Sequence, residues 1–205
     1  MLVDSRGETR LRRIAIVIAA FAVVVVAYIG SAIWSVSSLL LAVRAGDVAE
    51  IARQTDIPRL RTMLVVQIVG AYLDRVGAKR QLERMAVAAY GPNVADALVG
   101  KILDDGLTRL LRDGVVQDPN KPSAQVSLVP FGALPPGELV GLATRIRPFK
   151  LLEFDLRISP SNDPRLFTAV RFRLEGVRWK LCGLTLPPAA AADIATMIVD
   201  AGKHS

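Results

Sequence analysis

Hydrophobic and polar positions change rhythm along this chain, and each rhythm predicts a different element. From Ile14 to Ile29 the residues are apolar without interruption except for the hydroxyl of Tyr28, and no charge falls between Arg13 and Arg44. About 20 apolar residues in a helix cross the hydrocarbon of a bilayer, and a segment in lipid must pair its own backbone polar groups. Residues 14–34 therefore predict a transmembrane helix, with Tyr28 and Trp34 towards its far interface. The apolar pattern continues from Ser38 until Gly46-Asp47, where a helix-ending glycine is followed by a helix-starting aspartate. Asp56-Ile-Pro58 is a second start, because Pro in the first turn loses no hydrogen bond. The helix it opens places Leu60, Leu64, Val65, Ile68 and Tyr72 on one face. A further apolar stretch, Leu82–Tyr90, is expected to stop at Gly91-Pro92-Asn93, which caps another helix over Val94–Arg112 with Ala95, Leu98, Ile102, Leu107 and Leu111 inward.

Prolines 119, 122, 130, 135 and 136 then predict a long loop over 115–137, with one short strand at Gln125–Leu128. A brief helix over Glu138–Thr144 follows. From Leu151 the period becomes two. Leu152, Phe154, Leu156 and Ile158 alternate with Glu153, Asp155 and Arg157; Thr168, Val170, Phe172 and Leu174 alternate with Arg171 and Arg173; Trp179 and Leu181 alternate with Arg178 and Lys180. With turns at Ser159–Pro164 and Glu175-Gly176, these runs predict a three-stranded antiparallel meander with one buried face. A last helix is expected over Ala189–Asp200. The fold class is α+β, organised as a basic segment (1–13), the span (14–34) and an outer domain (35–205). The outer domain divides into a helical part (35–114), the Pro-rich loop (115–137), the sheet (151–188) and a tail (189–205).

Charge orients this arrangement. Arg6, Arg10, Arg12 and Arg13 precede the span, whereas only Arg44 and Arg53 closely follow it, so the N-terminus is expected in the cytoplasm. The alternatives are a cleaved signal sequence, with Gly30-Ser31-Ala32 as the processing site and Ile33 as the new N-terminus, and a buried core helix of a soluble protein. The whole chain carries +7, the part beyond residue 34 carries +5, and mean hydropathy is +0.38.

The chemistry these residues offer is narrow. A single Cys and a single His exclude a disulfide framework and any two-histidine metal cluster. His204 sits in a terminus with nothing to orient it, and Cys182 lacks a base. No phosphate loop, nucleophile elbow or dinucleotide turn occurs. Glu153 and Asp155 share a strand face, where paired carboxylates can do acid–base or metal work, and an enzyme that uses them is the least favoured reading. Their neighbours Arg157, Arg171, Arg173, Arg178 and Lys180 fit cross-strand pairing better, and their excess of cations suits an anionic partner such as a lipid headgroup. Tyr72, Phe154, Phe172 and Trp179 read as core, with the alternative that they line an apolar pocket between sheet and helices.

Two motif groups, Asp56, Pro58, Leu60 and Arg61, and Trp179, Leu181, Leu186 and Pro187, resemble those of a family of uncharacterised, membrane-anchored proteobacterial proteins known only as a domain of unknown function. The resemblance runs from about residue 25 to 188. It implies a bacterial inner-membrane setting and brings no catalytic residues. Helices followed by a meander are also similar to the cone-shaped nuclear-transport-factor-2-like fold, an analogy that does not fix function. The expected protein is non-enzymatic, single-pass and cofactor-free. Its periplasmic domain would contact the membrane surface or another envelope protein, and nucleic acid is not expected as a partner. The alternative is a binder of an apolar or lipid-like small molecule.

Overall fold

The computed structural model describes residues 5–76, 81–117, 125–134, 146–159, 163 and 167–202. Its first helix, α1 (Ser5–Ala45), is unbroken and changes environment along its length. Residues 13–29 are exposed, whereas Ala32, Val36, Leu39, Leu40, Ala42 and Val43 are buried in the main hydrophobic cluster. Burial thus begins inside the segment read from sequence as the span. The domain-facing half is tied down further where the Arg44 guanidinium donates to the carbonyls of Gly132 and Leu134.

Gly46 ends α1 with φ of 69°, a conformation that favours glycine. The Asp47 carboxylate accepts from the Glu50 amide at 3.0 Å and starts α2 (Val48–Arg53). The next helix, α3 (Ile57–Val76), begins as expected: Asp56 accepts from the Arg59 amide at 3.2 Å. Leu60, Leu64, Val65 and Ile68 are buried, and Tyr72 packs half-buried at the edge of the cluster.

One expectation is overturned in α4 (Gln81–Asp113), which runs through Gly91-Pro92-Asn93 without ending. Proline removes one helical hydrogen bond. The continuous inward face of Ala95, Val99, Leu103, Leu107, Leu110 and Leu111 supplies packing that outweighs this local preference. Ile102 packs half-buried against the same cluster.

The described residues of the Pro-rich region form two short strands rather than one, β1 (Val115–Gln117) and β2 (Gln125–Ser127), paired antiparallel, and then a 3-10 turn at Phe131–Ala133. The short helix expected over Glu138–Thr144 lies outside the described residues. Among the described residues the main sheet has four strands rather than three, in the order β3 (Ile146–Lys150), β4 (Glu153–Arg157), β5 (Ala169–Glu175) and β6 (Arg178–Thr185), all antiparallel. The additional strand β3 carries Pro148 and lies at the sheet edge, where a missing donor is tolerated. Leu152 was expected on the buried face; instead Leu151 and Leu152 form the β3–β4 turn, exposed by 90% and 51%. A register shift at Arg171/Phe172 opposite β6 breaks the alternation, so Cys182, Gly183 and Leu184 are all buried.

The chain closes with α5 (Pro188–Gly202). The buried sheet face meets α1 and α3, and α3 also packs on α4 and α5. The segment between α2 and α3 is laced to β6: Leu181 N–H donates to Gln54 O at 2.8 Å, and Asp56 N–H donates to Leu181 O at 2.7 Å. Element order and layers make this an α+β fold.

Candidate functional site

The residues singled out by pattern fall into three places. On the outer sheet face, Asp155 stands opposite Arg171 and Glu153 opposite Arg173 across β4 and β5. Arg171 Nε and Nη2 grip the two Asp155 oxygens at 2.6 and 2.9 Å. Glu153 lies between Arg173 at 3.8 Å and Lys150 at 3.9 Å. The hydrogen bond to Asp155 raises the pKa of Arg171. Lys180 Nζ lies 3.0 Å from the Glu175 carboxylate and, as its hydrogen-bond donor, holds that carboxyl below the ordinary range. Arg157 stacks over Phe167, 5.0 Å from the ring centre. Both carboxylates considered for acid–base work therefore hold basic side chains, the usual finish for a solvated sheet face.

The aromatic residues form the second group. Phe154 stacks on Phe172 at 5.1 Å, and Trp179 meets Phe154 edge-on at 4.9 Å. All three are buried, and Tyr72 stands apart from them on α3. The fourth ring is Tyr28 from α1, edge-on to Trp179 at 5.2 Å. Trp179 Nε1 donates to Ser31 Oγ at 3.0 Å, and Ser35 Oγ donates to the Trp179 carbonyl at 2.8 Å. These rings fill the space they share. A void of about 20 Å³ between α3, α4 and the sheet is lined by apolar side chains and is on the order of one water in size. Cys182 is buried on the side of the sheet that carries Glu153 and Arg171, and desolvation pushes its thiol up to about 11, leaving it protonated at neutral pH.

The third place was not anticipated. A cleft of about 500 Å³ lies between α1, α2 and the β5–β6 hairpin. Within it, α1 presents Trp34 and Ser38, α2 presents Glu50 and Arg53, and β6 presents Arg178 and Lys180. Gln54 Nε2 donates to Glu50 at 2.6 Å and to Ser38 Oγ at 2.9 Å, and Arg53 also bonds Glu50. The Gln54 bond, with Arg53 in support, holds the Glu50 carboxyl below its ordinary range. Arg178 is exposed and has no acidic partner among the described residues. Next to this cleft, Trp34 is 79% exposed and Val177, at the β5–β6 turn, 88%. Sequence reading had found Arg178 and Lys180 but no cleft, because its walls come from segments far apart in the chain.

The motif residues that carried the family resemblance are structural. Arg61 grips Asp96 of α4 through Nε and Nη2 at 2.6 and 2.7 Å, passing over Gly100, where a Cβ would come within 2.8 Å of the guanidinium. Asp56 caps α3, Leu60 is buried, and the Asp56 amide is bonded to Leu181, so the two motif groups meet. Among the described residues no group of three or more His, Cys, Asp or Glu is placed to hold a metal ion. No curated protein and no solved structure matches the chain. A family model described as "Protein of unknown function (DUF2939)" matches residues 21–110, from the middle of α1 to near the end of α4, and so takes in the Asp56–Arg61 group but not the Trp179–Pro187 group.

Proposed function

We propose that the chain is a single-pass protein of the bacterial inner membrane, with a cytoplasmic N-terminus and a non-catalytic periplasmic domain that works at the bilayer surface. The observation that carries this reading is the continuity of α1. The segment Arg13–Ala45 is long and apolar enough to cross a membrane, and the same helix enters the core with no linker between. The exposed apolar stretch ahead of the core, Ile14–Ile29, is about 24 Å long, short of the roughly 30 Å of hydrocarbon. The domain is therefore held against the interface.

The sheet supports the same placement. Its β3–β4 and β5–β6 turns lie at one end of the meander, linked by a 2.9 Å bond from Leu174 N–H to Leu152 O. That end meets α1 at its membrane side, since the Tyr28 hydroxyl donates to the Leu151 carbonyl and Trp179 bonds Ser31. Leu151, Leu152, Val177 and Trp34 thus form an apolar rim around the emerging span. Processing after Ala32 would have to cut a helix where Ala32 is buried and Ser31 holds Trp179, which favours an uncleaved anchor.

Protein extracted from membranes is expected to keep its N-terminal span by intact mass, and a product beginning at Ile33 would contradict the anchor. In cells with a permeabilised outer membrane, a membrane-impermeant maleimide should label Val66→Cys on exposed α3 and spare Ser5→Cys. The reverse labelling would contradict the orientation. Cys182, buried and protonated, adds no background.

A further inference from the structure

We propose that the cleft between α1, α2 and the β5–β6 hairpin binds the phosphate-bearing headgroup of an anionic phospholipid, an inference that rests on the domain lying against the bilayer. Among the described residues the wall carries Arg53, Arg178 and Lys180 against one carboxylate, that of Glu50. That carboxylate is already engaged by Gln54 and Arg53, and Lys180 by Glu175, which leaves the Arg178 guanidinium as the cation with no acidic partner among the described residues. A guanidinium fork suits phosphate oxygens. Ser38 Oγ accepts from Gln54 and keeps its own proton to donate. A volume of about 500 Å³ admits a headgroup.

Depth selects a lipid as the source. From Ser31 to Ser38 the cleft follows about 10 Å of the helix axis, starting where α1 leaves its exposed apolar stretch, so it overlaps the headgroup layer outside the hydrocarbon. Exposed Trp34 and Val177 border it as apolar contacts for the acyl chains of the same molecule. A phosphate inside and hydrocarbon at the rim match one lipid.

The test uses the full chain in vesicles of phosphatidylcholine with a minority of phosphatidylglycerol, the acyl chains brominated on one lipid or the other. Trp34 emission is taken as the difference from Trp34→Phe, whose remaining Trp179 signal also reports folding. Brominated phosphatidylglycerol should quench Trp34 beyond its share of the lipid. Arg178→Ala and Arg53→Ala should each lower that enrichment about fivefold. Arg178→Lys should restore part of it, and Lys101→Ala on α4 should leave it unchanged. Enrichment that persists in inorganic phosphate supports the lipid, whereas inorganic phosphate that binds the detergent-solubilised chain, is lost in Arg178→Ala and is accompanied by no enrichment in vesicles overturns the lipid in favour of the free anion. Quenching in simple proportion to composition overturns the headgroup site and leaves the membrane-apposed domain intact. No quenching by either lipid overturns both.

Discussion

A chain shortened to begin at Ala27 is expected to fold cooperatively, and one beginning at Gly46 is expected not to fold. Both lack most of the exposed apolar stretch of α1, and only the second lacks the part of α1 that belongs to the core. Val36, Leu39, Leu40 and Val43 are each no more than 2% exposed. Burying a side chain of this kind contributes about 1.5–3 kcal/mol, so the four together approach the roughly 5–15 kcal/mol by which a whole domain is stable. Their removal also uncovers the faces they touch on the sheet and α4 and releases the Arg44 bonds to Gly132 and Leu134. Urea unfolding followed by far-UV circular dichroism checks this. A cooperative transition at the same midpoint in the Gly46 chain would show that the anchor and the domain are merely tethered.

Trp179→Ala should be the most damaging single substitution, costing about 3–5 kcal/mol. The ring is 2% exposed and packs between Phe154 and Tyr28, its Nε1 bonds Ser31, and it is the main link between the sheet and α1. For a domain of this size the midpoint should fall by roughly 6–20 °C. Trp179→Phe keeps most of the packing and loses the N–H, so about 1 kcal/mol is expected. Trp34→Ala, at a site 79% exposed, should change stability by less than about 0.5 kcal/mol. Thermal unfolding in detergent separates the three. Equal shifts for the two tryptophans would contradict the placement of Trp179 as the joint between span and sheet.

What could be read from the sequence followed local physics. Gly46-Asp47 and Asp56-Ile-Pro58 announce helix ends because backbone conformation and capping decide them, and the alternation in β4, β5 and the start of β6 reflects a sheet with one wet face. Where tertiary packing outweighs local preference, the reading failed. α4 continues through Pro92 on the strength of a long buried face, and β3 hides its strand character behind Pro148, which only an edge tolerates. The register shift beside Phe172 makes Cys182-Gly183-Leu184 read as a run, and Leu151-Leu152 imitates the first step of a strand while forming the β3–β4 turn. The cations of the cleft were visible as charges on a strand. Their convergence with Ser38 and Arg53 depends on α1 and α2 being laid beside β6, a long-range fact with no sequence period.

Depth at the hairpin tips tests the central claim, that the domain sits on the bilayer with its sheet end down. Nitroxide labels at Leu151→Cys and Val177→Cys in the reconstituted full chain can be compared by power saturation with one at Val66→Cys. Val66 lies far from that end, since the adjacent Gln67 bonds Leu184 and Leu186, about 23 Å along the strand from Val177. The expected result is that both tip labels collide more with oxygen dissolved in lipid than with a water-soluble nickel complex, while the Val66 label shows the reverse. Tip labels as accessible to nickel as the Val66 label would contradict a domain held against the membrane.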